Sequence, residues 1–140
     1  MLITYHSQSG ASAQLAHAAL TGARTEDRSA KLLVCAEAGS IEVQQASGLL
    51  LICAENGGRL AGGAKDFLDR IFYPLNELGC CKSYALIISA GNDGSGAVGE
   101  ARRIFRGIPF SEALEPVIVR GIPDSAALQH CTGCRCSRSP

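Results

Sequence analysis

The sequence of 140 residues has no excess of charge of either sign. Its 13 Lys and Arg residues balance 13 Asp and Glu residues, so the formal net charge at pH 7 is zero. Proteins that bind nucleic acid without sequence preference need a basic field, and we therefore expect no nucleic-acid partner. The same balance argues against the strongly acidic surface with which some proteins dock on basic partners.

The sequence also lacks a long uninterrupted apolar segment. No run reaches the roughly 18 residues that a membrane span requires, and no basic region followed by an apolar stretch marks a signal peptide at the N-terminus. We therefore expect a cytoplasmic protein with no membrane partner. The seven cysteines agree with this expectation, because an odd number without an export signal argues against a disulfide framework.

What the sequence does contain is a regular alternation of apolar runs and helical segments. Five short apolar runs are typical of parallel strands, at residues 2–6, 31–35, 48–53, 84–89 and 117–119. The clearest helix has an apolar stripe from Ala64 to Leu75, and Pro74 is expected to end it. Cys35 and Cys53 lie inside apolar runs and are expected in the core.

Strands joined by helices need right-handed crossovers, which place helices on both faces of a parallel sheet. The sequence thus predicts an α/β fold, a flavodoxin-like doubly wound sheet of five parallel strands in the order 2-1-3-4-5. Residues 1–123 would form this domain. Residues 124–140 would form a shortened last helix, beginning near Ser125, and a disordered tail rich in cysteine.

The turn after the first strand has the composition of an anion-binding site. Its members are Ser7, Gln8, Ser9, Gly10, Ala11 and Ser12. A turn that opens a helix presents unpaired backbone N–H groups and the positive end of the helix dipole. An ordinary serine N-cap is the alternative, but three hydroxyls and a glycine at one junction favour a phosphate ligand.

Two further polar loops follow strands of the predicted sheet. The loop at residues 54–63 contains Glu55, Asn56, Gly57 and Gly58, and the loop at residues 91–96 contains Asn92, Asp93, Gly94 and Gly96. Each loop alone is equally well explained as a flexible turn. Because ligands of doubly wound sheets bind at the carboxyl ends of the strands, the three loops together predict one crevice.

These loops resemble those of a known family. Residues 55–74, ENGGRLAGGAKDFLDRIFYP, resemble the P-E-N-[FY]-G-Y-M-S-G-x-x-K-D-F-x-[DE]-R-x-x-Y-P segment of flavodoxin-like NAD(P)H-dependent FMN oxidoreductases, relatives of the FMN reductases and WrbA-type quinone reductases. Residues 91–97 are similar to their G-x-D-G-[ST]-G-A loop, and the resemblance extends to about Gly121. This sequence differs from the family segment at Gly57, where the family has an aromatic residue, and at Arg59, where the family has a tyrosine.

The resemblance implies FMN as the cofactor and NAD(P)H as the co-substrate, with electrons passing to a quinone or another small acceptor. Residues 7–12 would hold the FMN phosphate. Glu55, Asn56, Gly57 and Gly58 would lie along the isoalloxazine ring, and Asn92, Asp93, Gly94 and Gly96 would border its other edge and the ribityl chain. No catalytic side chain is expected, because the flavin carries the chemistry. Relatives are often dimers or tetramers, which leaves a homodimer or a homotetramer open.

Two other functions remain open from the sequence. A flavodoxin-type electron carrier would share the fold, although the zero net charge argues against it. A flavin-free binding domain is the second alternative, because Gly57 offers no side chain to stack on a ring.

Other polar groups give weaker signals. Cys131, Cys134 and Cys136 have no second Cys pair in a suitable context, so we expect oxidisable thiols there and no metal site. His6 is expected to be structural. Arg59, and the basic face formed by Arg102, Arg103 and Arg106, would either meet a dinucleotide phosphate or be solvated charges.

Overall fold

The computed structural model describes residues 1–121 and 123–124. Seven strands and four helices follow one another along this part of the chain. They are β1 (Leu2–Tyr5), α1 (Ala11–Ala23), β2 (Lys31–Val34), α2 (Ser40–Gln45), β3 (Gly48–Asn56), β4 (Arg59–Leu60), α3 (Gly62–Glu77), β5 (Ser83–Ala90), α4 (Ser95–Gly107), β6 (Ser111–Glu112) and β7 (Val117–Arg120). The predicted shortened helix and cysteine-rich tail lie outside the described residues, apart from Asp124. None of the described helices is long and apolar enough to cross a membrane.

The main sheet is parallel, with the strand order β2-β1-β3-β5-β6, and β7 also pairs with β5. This confirms the predicted order 2-1-3-4-5, with one addition. The fifth position is divided between β6, which pairs with the start of β5, and β7, which pairs with its end. Residues 85–86 of β5 lie opposite residues 113–116, so the outer strand carries two extra residues and bulges.

Strand β3 lies at the centre of the core, and six of its nine residues are buried. Alternate residues of a strand point to opposite faces. Leu49, Leu51 and Cys53 therefore pack with α3 and α4, whereas Leu50 and Ile52 pack with α1. Cys53 and Cys35 are both buried, as predicted, and burial raises the pKa of both thiols.

The prediction that Pro74 ends its helix was wrong, because α3 continues to Glu77. A proline in the last turn removes only its own N–H from the hydrogen-bond ladder. The Pro74 carbonyl still accepts a hydrogen bond from the Leu78 N–H at 3.2 Å. Leu75, one residue beyond the proline, is completely buried, and this packing supports the extra turn.

Arg70 on α3 fastens this helix to the turn after β2. Its two terminal nitrogens donate to the carbonyl oxygens of Ala38 at 2.7 Å and Cys35 at 2.5 Å. Its Nε donates to Asp66 one helical turn earlier, at 2.9 Å. Phe67, between them in sequence, is fully buried in the core. The K-D-F-x-[DE]-R part of the family-like segment is thus structural in this chain.

Replacing Arg70 with alanine is expected to lower the free energy of unfolding by about 1–2 kcal/mol. Two carbonyl groups would lose a charged donor, and a hydrogen bond to a charged group contributes about 1.5–3 kcal/mol before allowance for exposure. Urea unfolding followed by circular dichroism would measure the loss. Lys65→Ala is the matched control, since it removes only the exposed Lys65–Asp69 pair of the same helix and should cost no more than about 0.5 kcal/mol. Equal effects of the two changes would contradict the conclusion that Arg70 holds α3 against the turn after β2.

Candidate functional site

A cleft of about 580 Å³ lies at the carboxyl edge of the sheet. It is lined by Ser9, Ala11, Gln14, Ala54, Glu55, Ser89, Ala90, Gly91, Gly121 and Pro123. The volume lies within the range of about 300–1,000 Å³ that is usual for small-molecule sites. The carboxyl ends of β3 and β5 and the segments after β1, β5 and β7 thus meet around one crevice.

The turn between β1 and α1 contributes unpaired donors to this cleft. Gly10 adopts a left-handed conformation, with φ 98°, and its N–H donates to Ser7 Oγ at 3.0 Å. The N–H groups of Ala11, Ser12 and Ala13 have no hydrogen-bond acceptor among the described residues. The first turn of α1 also contains no acidic residue. The positive end of this helix is therefore uncompensated by the described part of the protein.

The N-terminus of α4 is the opposite case, since carboxylates of the protein already cap it. The Ser95 N–H and Oγ–H both donate to Asp93 Oδ1, at 3.1 and 2.9 Å. These hydrogen bonds hold the pKa of the Asp93 carboxyl below its usual value. The Ala97 N–H donates to Glu55 Oε2 at 3.1 Å. An anionic ligand would compete with two carboxylates at α4 but with none at α1.

The loop predicted at residues 54–63 is largely a β-hairpin. Strand β3 continues to Asn56 and pairs antiparallel with β4, so that Glu55 faces Leu60 and Asn56 faces Arg59. Gly57 and Gly58 form the two-residue connection, with φ of 57° and 77°. Both angles are positive, as a type I′ hairpin turn requires, and glycine adopts them at no steric cost. The alternative of a flexible turn therefore does not apply to this loop, and the Gly-Gly pair is itself a hairpin signal.

The hairpin packs tightly on the start of α4. A Cβ built on Gly96 would lie 1.7 Å from the Gly58 carbonyl oxygen, so only glycine permits this approach. The Leu60 N–H also donates to Glu100 Oε2 at 3.0 Å. Together with the bond from Ala97 to Glu55, these contacts hold the second and third predicted loops against each other.

The structure places the predicted binding residues unevenly around the cleft. Ser9, Ala11 and Glu55 line it. Gln8 accepts a hydrogen bond from Asn56 Nδ2 at 3.1 Å, which links the first loop to the hairpin. The remaining members are not among the residues that line the cleft. Ser7 accepts the Gly10 N–H, and Ser12 is buried in α1. Gly57 and Gly58 form the turn of the hairpin, and the residues at the start of α4 are Asn92, Asp93, Gly94 and Gly96.

The structure also places His6, whereas Cys131, Cys134 and Cys136 lie outside the described residues. The His6 ring packs on Gly63, where a Cβ would lie 2.1 Å from His6 Nδ1, so residue 63 has to be glycine for the ring to lie there. No group of three or more His, Cys, Asp or Glu side chains with the arrangement of a metal site occurs among the described residues.

Seven residues that line the cleft were not predicted as site residues: Gln14, Ala54, Ser89, Ala90, Gly91, Gly121 and Pro123. All of them except Gln14 lie at or after the carboxyl ends of β3, β5 and β7, and this position in the sheet could have indicated them.

No protein-family model matches the sequence, and no curated protein is detectably similar to it. Solved structures are similar in fold at low identity. The rubredoxin oxygen:oxidoreductase of Desulfovibrio gigas superposes with a TM-score of 0.80 at 18% identity, over 94% of this chain and 33% of that one. This chain thus spans about a third of the length of that protein.

Shorter proteins match over most of their length. A flavodoxin from Streptococcus pneumoniae gives a TM-score of 0.79 at 18% identity, over 94% of this chain and 91% of that chain. A WrbA-like flavodoxin from Agrobacterium tumefaciens gives 0.78 at 13% identity, over 94% and 89%. With its parallel sheet order and these superpositions, the chain has a flavodoxin-like α/β fold.

Proposed function

We propose that this chain binds FMN in the cleft and acts as an NAD(P)H-dependent oxidoreductase that passes electrons to a quinone or another small acceptor. The observation that carries the proposal is the uncompensated N-terminus of α1, which opens on a cleft at the carboxyl edge of a flavodoxin-like sheet. The fold itself adds support, because similar solved structures include flavodoxins and a WrbA-like protein.

The donor set at the β1–α1 turn fits a phosphate group. Ala11, Ser12 and Ala13 provide N–H groups without acceptors among the described residues, and Ser9 adds an exposed hydroxyl beside the cleft. A phosphate dianion would accept these bonds and lie at the positive end of α1. The phosphate would thus occupy a helix terminus that carries no protein carboxylate, unlike the N-terminus of α4.

The other end of the cleft fits a flat ring. Ala54, Ser89, Ala90 and Gly91 are small and leave space above the ends of β3 and β5. None of the described residues that line the cleft is aromatic. One face of a bound ring would therefore stay uncovered and accessible to a nicotinamide. FMN, when bound, supplies the hydride-accepting and electron-transferring chemistry, and the protein has to hold and orient it.

Titration with FMN tests the proposal. We expect flavin fluorescence to be quenched, and the melting temperature to rise by about 5–10 °C when FMN is present at about 100 times its Kd. Riboflavin, which lacks the phosphate, should bind at least about tenfold more weakly, because it cannot use the donors of α1. No binding of FMN up to millimolar concentrations would overturn the proposal.

Kinetics of the FMN-loaded protein separate the enzyme from the main alternative. Steady oxidation of NADPH or NADH with a quinone supports an oxidoreductase. The likeness to flavodoxins favours an electron carrier as the second candidate. A bound flavin that is reduced quickly by a partner protein but not by a nicotinamide would support the carrier instead.

A further inference from the structure

A second cavity, of about 320 Å³, lies where the hairpin meets α4. One face of the helix provides Ser95, Gly96, Gly99, Glu100 and Arg103, and the hairpin provides Gly58 and Arg59. Three of these seven residues are glycines, so backbone forms part of the cavity wall. The other four have polar or charged side chains, which are suited to a polar ligand.

The cavity carries two arginines that form no ion pair among the described residues. Arg59 and Arg103 are both exposed, and neither takes part in the salt bridges of this part of the chain. Arg102, on the same helix, shows the contrasting arrangement, because it forms a two-point pair with Glu112 at 2.8 and 2.9 Å. Glu100 is the acidic residue of the cavity, and its Oε2 already accepts the Leu60 N–H.

The hairpin places the two cavities side by side. Glu55 lines the first cavity, and Gly58 and Arg59 line the second. Three residue steps separate Glu55 from Gly58, which corresponds to at most about 11 Å of chain. An extended dinucleotide can lie across this distance, with its nicotinamide at the first cavity and the adenosine end at the second.

We propose that Arg59 and Arg103 bind the 2′-phosphate of NADPH and thereby make the protein select NADPH over NADH. This inference rests on the proposed function, because it assigns the adenosine end of the co-substrate of that same site. Guanidinium groups bind phosphate through two parallel N–H bonds, which gives both affinity and geometric selectivity. NADH has a hydroxyl at this position and would leave both arginines without their anion.

Calorimetry with two fragments tests the site on the full chain without relying on the flavin. We expect 2′,5′-ADP to bind about tenfold more tightly than 5′-AMP, which lacks the 2′-phosphate. Arg59→Gln and Arg103→Gln should each weaken 2′,5′-ADP binding about fivefold to tenfold and leave 5′-AMP binding unchanged. Arg106→Gln is the matched control, since Arg106 is an exposed arginine of the same helix that does not line the cavity, and it should have no effect.

The outcomes distinguish this inference from the proposed function. Equal affinity for the two fragments, or an equal effect of Arg106→Gln, would overturn the inference, even if FMN binds and both nicotinamides are oxidised. Arginine-dependent binding of 2′,5′-ADP without any binding of FMN would overturn the proposed function and leave a site for phosphorylated nucleosides. With FMN bound, both arginine variants should also lower the preference of kcat/KM for NADPH over NADH.

Discussion

Ala11→Asp is expected to weaken FMN binding on the order of 100-fold while leaving the fold as stable or slightly more stable. Ala11 is the first residue of α1 and lines the cleft. A carboxylate placed there would repel a phosphate, and two charges about 4 Å apart interact by roughly 1–4 kcal/mol between bulk water and a protein surface. The same carboxylate would interact favourably with the positive end of the helix, by about 0.3–1 kcal/mol.

The opposite signs of these two effects make the test specific. Binding would be measured by flavin fluorescence quenching, and stability by thermal unfolding without FMN. Ala11→Asn is the matched control, because it has nearly the same shape without the charge and should change the FMN affinity much less. A loss of affinity in both variants would indicate a steric effect. Unchanged affinity in Ala11→Asp would show that the phosphate does not bind at α1.

Gly96→Ala is expected to lower the free energy of unfolding by about 3 kcal/mol and the melting temperature by roughly 10 °C. The new Cβ would lie 1.7 Å from the Gly58 carbonyl oxygen, a backbone atom that cannot rotate away. The hairpin would have to move off α4, which would also strain the bonds from Ala97 to Glu55 and from Leu60 to Glu100. Hydrogen exchange of the Leu60 amide would report this displacement.

Gly99→Ala, one turn further along the same helix, is the matched control. Apart from the backbone of its own helix, no atom of the described residues lies within 4 Å of a Cβ at Gly99. The change should therefore stabilise the protein by about 0.5–1 kcal/mol, since alanine loses less backbone entropy than glycine in a helix. If the two variants had equal stability, the close contact between the hairpin and α4 would be disproved.

The elements of the fold that could be predicted are those with a clear pattern of apolar residues in the sequence. The unbroken run Leu49–Cys53 predicts a strand covered on both faces, and the stripe from Ala64 to Leu75 predicts the helix that covers one of them. The helix bound at Pro74 was wrong because burial of Leu75 outweighs the loss of one hydrogen bond. Strand β6 was missed because Ser111 and Glu112 are exposed and show no apolar signal.

The site could be predicted only in part, because some of its contacts join residues that are far apart in the sequence. Serines and a glycine after β1 mark a turn that presents free donors, and this is a local property of the sequence. The roles of Glu55 and Gly96 depend on contacts across 42 and 38 residues of chain, between the hairpin and α4. Such contacts leave no periodic trace, and a glycine required by an approaching carbonyl looks the same in the sequence as one in a loose turn.

The bulged fifth position of the sheet has a consequence for contacts between molecules. Strand β6 has two residues, β7 has four, and Pro116 between them has no N–H to offer to an added strand. The opposite border, β2, is only four residues long and begins with the exposed Lys31. Edge strands that are short, interrupted or charged disfavour pairing with the edge strand of another molecule. If copies of this protein assemble, we therefore expect them to meet through their helices. We expect no sheet that continues from one copy into the next.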